Sequence, residues 1–500
     1  MTRGLSRASV LAIKEESTEG TLQAVASATD FIAIQPSPEI TPNIESISND
    51  EIRNSIGAAK PIQGLESPEA SLSHYLRHSG VEGQAPNYGQ LLECVFGSTS
   101  SQSTERTTTT GSTTTVVNLA AGGSDYARGK AILLKDGTNG YSIRPVHSVS
   151  TNALTLGFAL ANAPATGVTG GKFVNYSPAN SSHPAMSLHL YNGNDHSYEA
   201  MAGGKVTEFS FGAAAGELIN ADYSLVGTKY FFNPITIAAT DTKLDFSDGS
   251  TRVATVAAKV YRTPHELASA LQTSMNAAGS SDTFTVSYSN STGKFTLSTN
   301  GATLSLLWNT GTNTANTIGD KIGFSVAADD TGALTYTSDN AQSWAAPYTP
   351  SYDSADPNVA INNEVLIGDG SSAVSFCSNN IDFSFANENA QVKCISAETG
   401  VDANFFSSRA VTVSVTGVLE KHDVDFFNKY INNTELRFCF NLGVKSGGNW
   451  VAGKCASVYV PSCVISSFKT TDLDGVVGVE VELTGFVDSS GNGEVYVNFL

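Results

Sequence analysis

GKVTEFSFGAAAGELINADYSLVG, Gly204–Gly227, is written a second time near the C-terminus as CVISSFKTTDLDGVVGVEVELTG, Cys463–Gly485. Phe209 matches Phe468 and Gly216 matches Gly475 at one common offset. The strand after each glycine closes on Gly227 or Gly485 with one residue of slippage. Each copy reads as strand, turn, strand. Asp474-Gly475 is a direct hairpin signal, because a primed turn needs residues that accept positive φ. Val477, Val479, Val481 and Leu483 alternate with Gly478, Glu480 and Glu482, the period of a half-buried strand.

The repetition extends upstream. Before the first hairpin come an alternating segment, EASLSHYLR (Glu69–Arg77), and PNYGQLLECVFG (Pro86–Gly97). In the latter, Tyr88, Leu91, Leu92, Val95 and Phe96 fall on one face of a helix. Before the second come RAVTVSVTG (Arg409–Gly417) and HDVDFFNKYIN (His422–Asn432). There Val424, Phe427 and Ile431 repeat the helical spacing behind an Asp423 cap. Further upstream, EITPNIESI (Glu39–Ile47) has its counterpart in NIDFSFANE (Asn380–Glu388). The expected fold class is therefore mainly β: a β-sandwich or barrel domain with one short helix, duplicated in tandem. To it are added a small all-β insert and an α+β insert.

Along the chain, residues 1–100 with 168–232 form the first copy, opening with a strand around Val10–Lys14, and 359–500 form the second. STSSQSTERTTTTGSTTT (Ser98–Thr115) reads as a flexible low-complexity linker. It leads into a small barrel, the insert being placed at 101–167, with turns at Asp136-Gly137 and Asn139-Gly140. Residues 233–343 read as the α+β insert, a surface decoration. In it Thr263 caps a helix, Pro264 takes the first position and Glu266 completes a capping box. Leu267, Ala270, Leu271 and Met275 make that helix's buried face. A proline-bearing linker, 344–358, returns to the second copy.

The balance of 28 Lys and Arg against 47 Asp and Glu gives a formal charge of −19. Wrapping of nucleic acid is disfavoured, since phosphate binding relies on Lys and Arg releasing counterions. No segment reaches the roughly 18 unbroken apolar residues of a membrane span. MTRGLSRASVLAIKEESTEG lacks the long apolar core and cleavage site of a secretory signal. The six cysteines (Cys94, Cys377, Cys394, Cys439, Cys455, Cys463) contain no C-x-x-C pair. They are expected to be reduced and mostly buried, with a Cys439–Cys455 disulfide left open.

No catalytic, cofactor or metal residues emerge. GGSDYARGKA (Gly122–Ala131) misses phosphate-loop spacing by one residue and carries Ala131 where Ser or Thr should bind magnesium. His265 lacks the second histidine of a zinc helix. Asp241, Asp245, Asp248 and Asp329-Asp330 do not fit an EF-hand loop. The polar segment NDEIRNSIGAAKP (Asn49–Pro61) is too long for a tight turn, and loops of this kind are usually functional or mobile.

With the repeated unit defined, the chain resembles the major tail tube proteins of tailed bacteriophages. The resemblance rests on LAIKEESTEGT, DFIAIQPSPEITPNIESISNDEIR, LESPEASLSHYLR and NYGQLLECVFG, and on the hairpins GGKVTEFSF and PSCVISSF, each followed by a strand closing on glycine. It implies a structural virion protein, not an enzyme, with no cofactor. Six tube domains close a ring around a continuous β-barrel and rings stack into a tube. Two domains per chain imply trimers with pseudo-sixfold symmetry, as in tandem-domain tubes of long noncontractile tails. Implied partners are the chain itself, a tape measure protein inside the tube, tail terminator and distal tail or baseplate proteins, and double-stranded DNA in transit only, with no membrane. Implied localisation is the virion tail, assembled in the bacterial host cytoplasm. The long loop resembles the family's inter-ring stacking loop, which selects Asn49, Asp50, Glu51 and Arg53, with Glu398 in its weaker counterpart Ser396–Asn404. With about four strands per domain, ~4.8 Å apart and tilted ~40°, such a barrel is roughly 45–50 Å across its backbone, wide enough for a DNA duplex. Lumen-facing positions are expected to be neutral or acidic. The competing class, an extracellular β-rich adhesin or carbohydrate-binding protein, predicts a signal peptide and paired cysteines.

Overall fold

In the computed structural model, residues 5–500 are described apart from 37, 53, 55, 370–372, 376, 419–424 and 488–492. Arg53, Asp423 and Val424 therefore lie outside the described residues. The fold is mostly β. Its contacts divide it into a larger unit (11–188, 202–229, 349–500) and a smaller one (1–10, 189–201, 230–348). The α-helices among the described residues are Gly89–Phe96 (α1), Pro264–Asn276 (α2) and Asp425–Ile431 (α3).

The larger unit holds both hairpins. In chain order its relevant strands are Glu39–Thr41 (β1), Ile44–Ile47 (β2), Ile62–Glu66 (β3) and Glu69–Tyr75 (β4). They continue with Ser197–Ala214 (β5, in this unit from residue 202), Asn220–Val226 (β6), Ser378–Lys393 (β7) and Val401–Val418 (β8). Asn449–Leu473 (β9) and Val476–Gly485 (β10) complete the set. Antiparallel ladders join them in the order β1-β4-β6-β5-β7-β8-β10-β9.

Both hairpins are built alike. β5 carries a bulge between Val206 and Glu208 against β6, and β9 carries one between Ile465 and Ser467 against β10. An extra residue re-aims a strand and raises its twist, so a bulge at the matching place bends both hairpins alike. Asp474 (φ 52°) and Gly475 (φ 87°) both occupy the left-handed region, as a primed two-residue turn requires. Ala70 lies between Ile40 and Leu225, just as Val413 lies between Phe383 and Leu483.

One face of this sheet is a core. Phe209, Phe211, Phe383 and Phe385 are at most 3% exposed; Phe209 and Phe385 pack on the Phe96 ring of α1, and Phe383 packs on Phe209 and Phe211. Every apolar residue expected on the α1 face, from Tyr88 to Phe96, is buried. Each such aromatic contributes about 1.5–3 kcal/mol through burial alone.

Ser98–Gln102, expected in a flexible linker, is instead ordered: Gly97–Gln102 is a strand paired along its whole length with Phe173–Pro178. Threonine and serine supply no core signal, and the partner lies some seventy residues away, so composition misled here. Beyond it a six-stranded sheet runs from Arg106–Thr107 to Val116–Asn118, and a bridge between Thr108 and Leu119 joins its outer strands into a small barrel. Its core is shared with Trp450, Cys455 and Leu500 from the C-terminal region. The buried Asn498 amide staples the two: its Nδ2 donates to Gly129 O, and its Oδ1 accepts from Ala131 N and Asn175 Nδ2.

The smaller unit packs α2 against a four-stranded and a three-stranded sheet. Thr263 caps α2 as expected, but Glu266 Oε2 accepts from Arg262 N instead of the cap residue's own N–H. Ala268 is buried where Ala270 was expected; Ala270 sits at the edge of the core. All six cysteines are free, which answers the open Cys439–Cys455 pairing. Burial pushes the Cys94, Cys439 and Cys455 thiols up to about 12.

Candidate assembly surface

The second face of the sheet is polar and open. Directly opposed residues share a face, so the ladders place side by side Ser73, Asp222, Ser210, Ser384, Thr412 and Thr484. Glu69, Glu208, Asp382, Glu480 and Glu482 occupy the same face, with Lys469 as a cation paired to Glu480 at 2.9 Å. Ser73 Oγ donates to Asp222, and Ser384 Oγ donates to Glu208 at 3.1 Å. This alternation of Phe and Val with Ser, Thr and acids gives a wall that is apolar behind and acidic in front.

Within the chain, the hairpin of the first half meets the leading strand of the second. Glu208–Ala214 of β5 pairs with Asn380–Ala386 of β7 in an unbroken seven-residue register. Phe385 seals the seam, 4.7 Å from Phe96 and covering Phe209, both fully buried. Beyond the sheet, β7 and β8 continue as an arm along the first half. Gln391 Nε2 donates to Ser67 Oγ, Glu66 N donates to Thr399 O, and Asn387 Nδ2 donates to Val95 O and Val206 O.

At the ends of the eight-strand run the same elements are bare. Among the described residues, β1 is registered only with β4, and β9 from Val464 to Leu473 only with β10. Thr470, which matches buried Phe211, is exposed, and Phe468 is half-buried where Phe209 is sealed. Phe427 of α3 packs on Phe468, ring centroids 5.8 Å apart and tilted by 58°, but remains 48% exposed, whereas Phe96 is 0% exposed. Across the run, β2 and β3 form a ribbon with Ile44, Ile47 and Ile62 exposed.

Of the residues selected from sequence, Asn49, Asp50 and Glu51 lie past the end of that ribbon, Asn49 Oδ1 accepting from Glu51 N at 3.1 Å. Glu398 is elsewhere, at the end of the β7–β8 arm, ion-paired with Lys229 at 2.8 Å. The structure does not bring it together with the others. The repeat marks Phe468 as the hairpin match of Phe209, and helical spacing marks Phe427 as part of a helix face, but neither signal marks these or the β1 edge as an assembly surface.

The carboxylates weighed for calcium are occupied internally. Asp245 accepts from Asn313 N and Nδ2, Asp248 from Arg252 and Ser280, Asp329 from Asn309 and Thr310, and Asp330 from Trp308 Nε1. Among the described residues no group of three or more His, Cys, Asp or Glu could hold a metal ion, and no helix is long and apolar enough to cross a membrane. Gly122–Ala131 is a turn before a strand, with Arg106 paired to Asp125.

A sheet sealed at an internal seam and bare at both ends presents the edges an assembling subunit needs. The family model described as phage tail tube protein matches residues 6–264, just over half of the chain, and the chain belongs to that family. It is thus a structural tube subunit that self-assembles, a component of a virion tail, from a family that is not one of enzymes. Among solved structures it is similar to the SPP1 tail tube determined by solid-state NMR and cryo-EM, at 16% identity over 24% of this chain and 72% of that one, with a TM-score of 0.18. No curated protein sequence matches it.

Proposed function

We propose that the chain is a tandem duplication, residues 1–100 with 168–232 and residues 359–500, and that three copies close a pseudo-sixfold ring. Rings stack into a hollow conduit through which the viral genome passes into the host. The observation that carries this reading is the β5–β7 seam, where one half joins the next edge to edge. A single chain contributes eight strands. Leaving both ends of such a run unpaired invites association, and only closure removes the edges.

The polar face lines the bore in this reading. Its Glu208, Asp222, Asp382, Glu480 and Glu482 repel DNA phosphates, so the duplex slides without being held, and a tape measure protein fills the bore before ejection. The insert at 101–167 lies outside the bore. The loop past the ribbon, with Asn49, Asp50 and Glu51, meets the adjacent ring, while terminator and distal tail or baseplate proteins meet the tube ends. Assembly takes place in the host cytoplasm.

Negative-stain microscopy with cross-sectional averaging tests this. Hollow rods with three chains per layer are expected; six chains per layer, or dispersed monomers that bind glycans, overturn it. Deleting Asn49–Ala59 is expected to leave folded subunits that do not polymerise. Normal tubes from that deletion remove the stacking role.

A further inference from the structure

The internal seam specifies what covers the bare one. We propose that the β1–β2–β3 segment of one chain docks on β9 and α3 of the next, in the register that β7 keeps on β5. This rests on the ring reading above and adds the identity of the contacting residues. Matching hairpin positions, Phe211 to Thr470 and Phe209 to Phe468, share their partners' register: Ala221 opposes Phe211, and Val479 opposes Thr470. Matching leading strands, Phe383 to Ile40, share theirs through Val413 and Ala70. Carrying Phe211↔Phe383 and Ser210↔Ser384 across therefore puts Thr470 opposite Ile40, and Lys469 opposite Thr41.

The exposed surfaces agree with that register. Phe385 covers Phe96 and Phe209 in the internal seam; the equivalent position of the next chain is Pro42, which arrives over Phe427 and Phe468. Past Pro42 the chain turns at Asn43 (φ 35°) into the β2–β3 ribbon, where Ile44 is 42% exposed. Ile44, with Ile47 and Ile62 further along the ribbon, then meets Phe427 and Ile431 (60% exposed). Apolar side chains bare on the two ends of one chain are thus matched to each other, which is what a second copy, and not an unrelated partner, would need.

Thiol pairing in assembled protein tests the register. In a background with Cys377→Ser and Cys394→Ser, Thr41→Cys with Lys469→Cys is expected to give disulfide-linked dimers and trimers on a denaturing gel after oxidation. Thr41→Cys with Leu473→Cys, about 13 Å out of register along the strand, is expected to give monomers. Ser210→Cys with Ser384→Cys provides the within-chain control. Rods that link only through the 41/473 pair, or not at all, overturn the register and leave the tube reading standing. Wild-type protein that never forms rods overturns both. Should the cysteine variants fail to assemble, hydrogen exchange on wild-type rods decides: residues 39–43 and 467–473 are expected to be protected in rods and to exchange in dispersed chains, and equal exchange in both overturns the docking.

Discussion

Acid is expected to weaken the larger unit through two histidines. Burial drives His74 down to about 4, against a partial upward pull from its bond to Tyr75 O and from Asp222, with Arg77 pushing further down. Burial takes His78 to about 3, opposed only by Asn358. His74 Nε2 and His78 Nδ1 have no hydrogen-bond partner, so neither ring is equipped to carry a second proton. The unfolded chain titrates these groups near the ordinary 6.5 and binds more protons than the folded chain between there and the lowered values. Stability is therefore complete above pH 6.5 and falls as pH drops towards 4. At pH 5 each histidine sits about 1.5 pH units below its unfolded value, a loss of about 2 kcal/mol apiece and about 4 kcal/mol together. That is a large part of the roughly 5–15 kcal/mol that holds a domain folded. The assay is native-state hydrogen exchange of β4 and β6 in dispersed chains at pH 7.5, 6 and 5, corrected for intrinsic exchange rates. His74→Phe keeps the stack on Tyr223, whose ring centroid is 5.4 Å away, and should remove from the pH dependence about the 2 kcal/mol that His74 contributes at pH 5. Identical slopes for the wild type and His74→Phe would refute the reasoning.

Phe385→Ala should destabilise dispersed chains by about 3–5 kcal/mol in denaturant melts, because it opens a sealed seam, whereas Phe427→Ala should cost about 1 kcal/mol or less before assembly. Gly475→Ala should cost about 1–2 kcal/mol, read as faster exchange in the β9–β10 hairpin: nothing crowds the new methyl, so the whole penalty is the left-handed backbone. Reversing bore charge with Glu208→Lys and Asp382→Lys should slow DNA ejection from assembled particles; an unchanged ejection rate would count against an acidic bore.

Much of the hairpin architecture was legible from period alone. Val477, Val479, Val481 and Leu483 all face inward apart from exposed Val477 near the turn, and Asp474-Gly475 turns where positive φ was required. The α1 face was equally legible, since Tyr88 to Phe96 repeat at helical spacing and are all buried. Ser98–Gln102 was misread because its strand partner is remote and its residues carry no apolar alternation. The candidate site was less legible. Asn49, Asp50 and Glu51 were found as a polar excursion, but the ion pair of Glu398 with Lys229 depends on how the β7–β8 arm lies across the first half.

By itself the sequence made the alternating strands, the turns and the helical spacing legible, because local alternation and turn chemistry act over neighbouring residues. It also determined that Phe209 has a match at Phe468. Only the tertiary structure decided that Phe209 is buried while Phe468 is left half-open. That difference depends on which strand pairs with the outer edge, a contact between residues some 170 positions apart, and backbone hydrogen bonds between remote strands leave no period in the chain.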